Sequence, residues 1–284
     1  LMLSISAVIF VQPVITGLTI AEFNLNVEGN NNYKADEQPV FNINLEERKG
    51  NLITGYAIGT PPNKSISASL INPRGEETII DKEIIDSDKG FIVKLDKGRE
   101  FEAGLYKLRI KTIYNNEEYI QEQDFTWGVL AINVDKSIYL ENEEAFIGIS
   151  VLDDRGKIVC NADVTLEIIN PLNEKIILTT ANNNIKISPE CNFLGITELP
   201  DYYTKYKVNG IGTYVMKLTA VTRNGIRSIQ DKFIVHKKVD FDAARKGPTR
   251  IFPLVPYSMS FNIKSNKNYN GIINEYVPAS FEIT

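Results

Sequence analysis

Tyr106 and Tyr214 occupy matching settings in this chain of 284 residues. Each closes a Gly-x-Tyr step, Gly104-Leu-Tyr106 and Gly212-Thr-Tyr214, and each lies 19 residues before a phenylalanine, Phe125 and Phe233. Other features recur in the same order. Tyr33 with Glu37 returns as Tyr139 with Glu143, and Ile71-Asn-Pro73 as Ile169-Asn-Pro171. Ile66, Ala68 and Leu70 match Val164, Leu166 and Ile168, and Asn224-Gly225 stands where Asn116-Glu117 stood. A shared order of features with an identical closing interval marks an internal repeat. With domains of about 100–150 residues, the chain holds two copies of one unit and a remnant.

The unit is read from period-2 patterning, the signal of half-buried strands. Phe23, Leu25 and Val27 alternate with polar neighbours, as do Tyr106, Leu108 and Ile110 and, in the second copy, Tyr214, Met216 and Leu218. Residues 125–157 show one copy closing and the next opening with no linker. Ala145, Ile147, Ile149 and Val151 fall on one face, Phe146, Gly148 and Ser150 on the other, with Tyr139 to Glu144 read as a polar turn. Asp153-Asp-Arg-Gly156 reads as a hairpin loop whose glycine supplies a positive φ. Trp127 and Leu130 flank the junction and are expected to pack between the domains. Many short strands with regular turn signals and no helical period predict an all-β fold of tandem immunoglobulin-like β-sandwiches, with the start of a third β domain. The expected divisions are 1–21, 22–128, 129–237 and 238–284.

Residues 1–21 are nearly uncharged, and Ala21 before Glu22 offers the small residue of a signal-peptidase site, so this span is expected to be a cleaved secretory signal. Gln12, Pro13 and Gly17 suit a permanent membrane helix poorly. The two cysteines, Cys160 and Cys191, lie in the second unit, and such a pair in an exported chain predicts a disulfide. A net charge of −5 without a basic block argues against nucleic acid as a partner. A single histidine, His236, makes a zinc site and Ser–His–Asp catalysis improbable.

Asp135-Lys-Ser-Ile-Tyr139, Glu143, residues 151–156, Asn161-Ala-Asp-Val164 and Asn170-Pro171 together resemble the macroglobulin-like, immunoglobulin-like domains of prokaryotic cell-surface proteins. The family's Tyr-x-Pro-Gly-Glu turn is replaced here by Leu-Glu-Asn between Tyr139 and Glu143. Val277-Pro-Ala-Ser-Phe281 is similar to the proline turn of surface-protein repeat domains, and Arg245 to Arg250 reads as a basic linker ahead of strands at 257–263 and 270–276.

No phosphate-cradling loop, Cys-x-x-Cys pair or His-Glu-x-x-His helix is present. Glu141, Glu143 and Glu144 with Asp153 and Asp154 are the acids a calcium ion would need if they met at one end of the second unit, against the plainer reading of solvated turns. Asn63-Lys-Ser65 is a glycosylation sequon. The expectation is a non-enzymatic exported surface protein, a structural stalk or adhesion module without cofactor. Its partners would be other surface proteins or cell-wall or extracellular polymer, with a membrane or wall anchor outside this chain. The alternatives are the N-terminal part of an α2-macroglobulin-like protease trap, implied by the resemblance, or accessory modules of an extracellular enzyme.

Overall fold

The computed structural model describes residues 20–51, 55–59, 66–78, 82–98, 101–114, 117–136, 138–250, 256–274 and 276. Residues 1–19, the sequon at 63–65, the turn at 115–116 and the proline turn at 277–281 lie outside them. Every regular element among the described residues is a strand.

The first sandwich contains β1 (Ile20–Gly29), β2 (Asn32–Tyr33), β3 (Val40–Asn51), β4 (Gly55–Gly59), β5 (Ile66–Ile71), β6 (Glu77–Thr78), β7 (Lys82–Ser87), β8 (Gly90–Leu95), β9 (Gly104–Tyr114) and β10 (Glu117–Trp127). One sheet runs β1-β3-β8-β7, with β4 also pairing with β3, and the other runs β2-β10-β9-β5-β6. The second sandwich contains β11 (Leu130–Val134), β12 (Ile138–Leu140), β13 (Glu144–Val151), β14 (Asp163–Ile169), β15 (Lys175–Thr179), β16 (Lys186–Ile187), β17 (Tyr202–Lys207), β18 (Gly212–Thr222) and β19 (Gly225–His236). Its sheets run β11-β13-β17-β16 and β12-β19-β18-β14-β15. Strand for strand this is the same order, so the repeat in the sequence is a repeat in topology. Among the described strands, β4 alone lacks a counterpart.

Alternation delivers one face of each strand to a core. Tyr106, Leu108 and Ile110 are buried in the first sandwich, and Tyr214, Met216 and Leu218 in the second. The register confirms the equivalence, because Tyr106 pairs with Phe125 and Tyr214 with Phe233. Each core draws on one sandwich only, residues 27–127 or 129–235. A β-unit whose core closes within itself has what it needs to fold alone.

The recurring motifs turn out to be contacts with one another. Asn72 Oδ1 accepts from the amides of Arg74 (3.0 Å) and Glu76 (2.9 Å) while its Nδ2 donates to the Glu76 carboxylate at 3.0 Å. Asn170 does the same with Leu172 and Glu174 at 3.0, 2.9 and 2.8 Å. The fourth turn residue has positive φ in both copies, Gly75 at 85° and Asn173 at 62°. The prolines of these turns, Pro73 and Pro171, lie against Gly104 and Gly212, where a Cβ would come within 2.6 and 2.9 Å of them. Asn-Pro and Gly-x-Tyr therefore form one corner, in which the glycine makes room for the proline.

Three expectations need correction. The segment from Tyr139 to Glu144 is not all turn, since Ile138–Leu140 forms β12, which runs parallel to β19 as β2 runs parallel to β10. A strand of two or three residues is too short to show a period. In the tail, Arg245 and Lys246 end β20 (Phe241–Lys246), which pairs with β21 (Ser260–Ser265), so the basic stretch is partly strand. Of the further tail strand expected at 270–276, residues 270–274 form no strand.

Candidate functional site: the joint between the sandwiches

Trp127 and Leu130 do not pack across the boundary as expected. The Trp127 ring is fully buried against Phe101 (4.8 Å) and Tyr106 (5.8 Å), and its Nε1–H donates to the Glu37 carbonyl at 3.1 Å, all within the first sandwich. Leu130 belongs to the second core, opposite Val151. The reason is register: β10 stays in its sheet through Trp127, β11 enters the next at Leu130, and Gly128 with φ 75° turns the chain between them.

The joint is instead made by the Asp153–Gly156 hairpin of the second sandwich resting on the Ala103–Leu105 corner of the first. The Leu105 amide donates to the Asp154 carbonyl at 2.8 Å. A Cβ on Gly104 would lie 2.7 Å from that same oxygen, and one on Gly156 would collide with the Ala103 carbonyl. Gly156 also has φ 73°. Two glycines thus let the two backbones meet without side chains between them. Farther along, Lys34 and Asp231 form an ion pair across the boundary at 3.3 Å.

The hairpin is held from behind by its own sandwich. Asp153 Oδ1 accepts from the amides of Arg155 and Lys157, each at 2.9 Å, and Oδ2 pairs with Arg223 at 3.2 Å. Burial pushes this carboxyl up, but the two amides and Arg223 outweigh it, and its pKa falls below the ordinary aspartate value. Asp154 pairs with Arg227 and accepts from Asn224 Nδ2 at 2.9 Å. Arg227 Nη1 and Asn224 Oδ1 are buried without a partner among the described residues. Sequence reading found the hairpin but not its clamp, because Arg223, Asn224 and Arg227 lie some 70 residues away.

Beside the joint opens a polar cleft of about 790 Å3, bounded by Asn30 to Asn32, Lys34, Asp36 and Glu37 on one side and Lys217, Ser228 and Gln230 on the other. The acids considered for calcium do not meet. Glu144 and Asp153 flank opposite ends of β13, whose eight residues span about 23 Å at ~3.3 Å per step. Glu143 pairs with Lys136 at 3.2 Å and Glu144 with Lys205 at 2.7 Å. No group of three or more His, Cys, Asp or Glu among the described residues is placed for a metal. His236 is exposed at the end of β19.

Cys160 and Cys191 are bonded, their Cα atoms 5.9 Å apart. The segment that runs on from Cys191 receives Arg250, which pairs with the buried Asp201 and donates to the Cys191 carbonyl at 3.2 Å, while Thr249 N–H donates to the Thr197 carbonyl at 2.8 Å. The end of the expected basic linker is therefore fastened to the second sandwich.

No family model and no curated protein matches the chain. Solved structures similar to it include the ectodomain of mouse nectin-like molecule 4 (9% identity, TM-score 0.20, covering 77% of this chain and 66% of that one). A DUF4785 protein from Legionella pneumophila (12%, TM-score 0.27, 73% and 54%) and the Escherichia coli adhesin FdeC (12%, TM-score 0.24, 76% and 66%) are also similar. The chain thus spans about two thirds and about half the length of the first two. Scores this low transfer no property of those proteins. The immunoglobulin-like description rests on the strand order and the facing sheets.

Proposed function

We propose that this protein is a non-enzymatic surface module, a structural stalk or adhesion arm built by repeating one sandwich through a short, main-chain-bonded joint. The observation that carries it is that joint: Gly104 and Gly156 bring two backbones into contact with only Gly128 and Val129 between the last strand of one sandwich and the first of the next. A joint with so little free chain holds two domains in a fixed relation, which suits load-bearing or display better than enclosing a substrate. The disulfide in the second sandwich supports an oxidising, extracellular compartment. Export by residues 1–21 and contact with other surface proteins or wall polymer belong to the same reading.

Protease added to intact producing cells tests it. The reading expects peptides from 129–237 to be released, with Cys160 and Cys191 recovered as a disulfide. Protein that stays protected until lysis, with both thiols free, overturns it. The macroglobulin-like subtype is a finer reading supported by the Tyr139–Glu143 turn, in which Glu143 accepts from the Leu140 amide at 2.9 Å. The same turn occurs at Tyr33–Glu37, where Glu37 accepts from the Lys34 amide at 3.1 Å.

A further inference from the structure

The first sandwich receives its neighbour at one corner, and the second sandwich carries the same corner at its own far end. Gly212 stands where Gly104 stands, Pro171 where Pro73 does, and Thr213 where Leu105 does, as fixed by the pairs Tyr106–Phe125 and Tyr214–Phe233. In the first sandwich the corner is occupied: Leu105 N–H meets the Asp154 carbonyl, and Gly104 is confined between Pro73 and that oxygen. In the second sandwich only the proline side is filled. A Cβ on Gly212 would meet Pro171 and nothing else within 4 Å.

The main chain confirms that the donor is presented. Hydrogen-bonded and non-bonded pairs alternate along an antiparallel ladder. Counting from the β18–β19 turn, where Thr222 faces Gly225, Thr213 and Ile234 form a non-bonded pair. Its N–H therefore points away from β19, toward the side where β14 has already ended at Ile169 opposite Val215. Leu105 has the same parity, opposite Thr126, and lies beyond the end of β5. No turn or loop carbonyl among the described residues accepts the Thr213 amide. Around it the surface is apolar and open, with Ile211 at 49% and Leu172 at 73% exposure.

We infer that the Gly210–Thr213 corner, with Pro171 and Leu172, is a docking socket for another sandwich of this design, which enters by a hairpin of the Asp153–Gly156 type. The carbonyl of the hairpin's second residue accepts from Thr213 N–H, and the hairpin glycine lies against the Ile211 carbonyl as Gly156 lies against that of Ala103. The joint inside the chain is thereby made once more at its far end, and sandwiches add head to tail, the heterologous kind of contact that extends rather than closes. This deepens the proposed function by naming a partner, yet its test reads the socket alone and does not depend on export or adhesion.

The probe is the second sandwich by itself, residues 129–237, whose hairpin is free once the first sandwich is absent. Added unlabelled to the 15N-labelled full chain at about 1 mM, the weak end of specific affinity, it should shift the amide signals of Ile211 and Thr213. Ile211→Asp in the full chain should abolish the shifts, and so should Gly156→Val in the fragment. Silence at Thr213, shifts at Leu105 in its place, or shifts untouched by Ile211→Asp overturns the socket. If the fragment shows no dispersed spectrum of its own, unlabelled full chain carrying Gly104→Val, which releases its hairpin from the first sandwich, is the donor and is read in the same way.

Discussion

The carbonyl oxygen of Asp154 accepts the Leu105 amide and at the same time occupies the place a side chain on Gly104 would need. One atom of the second sandwich therefore fixes two residues of the first. Gly104→Ala would set a methyl against that oxygen and against Pro73, neither of which is the loose end of a side chain. Overpacking of this kind costs about 1–3 kcal/mol. Gly210→Ala is the control: it has positive φ but no neighbour within 4 Å, so it bears only the backbone cost of about 1–2 kcal/mol. The two are separated by hydrogen exchange at Leu105, which should quicken in Gly104→Ala and stay unchanged in Gly210→Ala.

The two corner tyrosines differ in what their hydroxyls do. Tyr106 donates to the Glu102 carbonyl at 2.5 Å. Tyr214 donates to the Asn209 carbonyl and accepts from the Asn209 amide at 3.1 Å, with the Gly210 carbonyl also at 3.1 Å. Tyr214→Phe leaves more groups unsatisfied and should lower stability by about 1–2 kcal/mol, and Tyr106→Phe by about 0.5–1.5 kcal/mol. Truncating either buried ring to alanine should cost about 3–5 kcal/mol. Urea titrations that give the reverse order for the phenylalanine pair would show that the hydroxyl bonds do not set the cost at these corners.

The Asp153 carboxylate makes the joint sensitive to acid. Its folded pKa lies below the unfolded value near 3.8, despite burial, because the Lys157 and Arg155 amides and Arg223 favour the charged form. A depressed folded value means that the stabilisation is present above pH 3.8 and is lost as pH falls through the folded pKa. Asp153→Asn should therefore be less stable than the parent near neutrality, and the gap should shrink as the pH falls below the unfolded value of 3.8 and through the folded pKa. A gap that holds constant down to pH 2 would mean that the charge is not what the site uses.

How much of this could be read in the sequence follows from range. Tyr106, Leu108 and Ile110 declare a buried face because neighbours two apart share it, and Gly156 declares a turn because its φ is a local matter. The repeat could be seen because motifs such as Asn72-Pro73 and Gly104-x-Tyr106 kept their order. That they touch could not, since Pro73 and Gly104 are distant in the chain. Trp127 misled because a large apolar residue at a boundary looks like interface, whereas its place in the β10 register buries it at home. The clamp of Arg223 and Arg227 on Asp153 and Asp154 left no pattern, charged residues being spread throughout the chain.

The last expectation concerns Arg250, which sequence reading placed in a free linker. Its guanidinium meets Asp201, whose side chain is only 5% exposed, and bonds the carbonyl of Cys191 within the stapled segment. Removing one member of such a pair leaves the other charge buried without a counterion, at a cost of about 3–5 kcal/mol when burial is complete; Arg250 keeps some solvent, so about 2–3 kcal/mol is expected for Arg250→Ala. The disulfide closes a loop of 31 residues, and that constraint on the unfolded chain stabilises by about 3–4 kcal/mol. The two effects share one segment and should not add. Once reduction has loosened residues 188–201, Asp201 regains water and Arg250 loses its acceptors, so Arg250→Ala should cost much less in reductant than in its absence. A double comparison of parent and Arg250→Ala, each with and without reductant, measures the coupling from four denaturation midpoints. Limited proteolysis supplies an independent reading, because cleavage between Lys246 and Pro256 should accelerate in Arg250→Ala and in the reduced parent alike. Strict additivity of the midpoints, with unchanged cleavage in both, would return residues 247–250 to the status of a free linker.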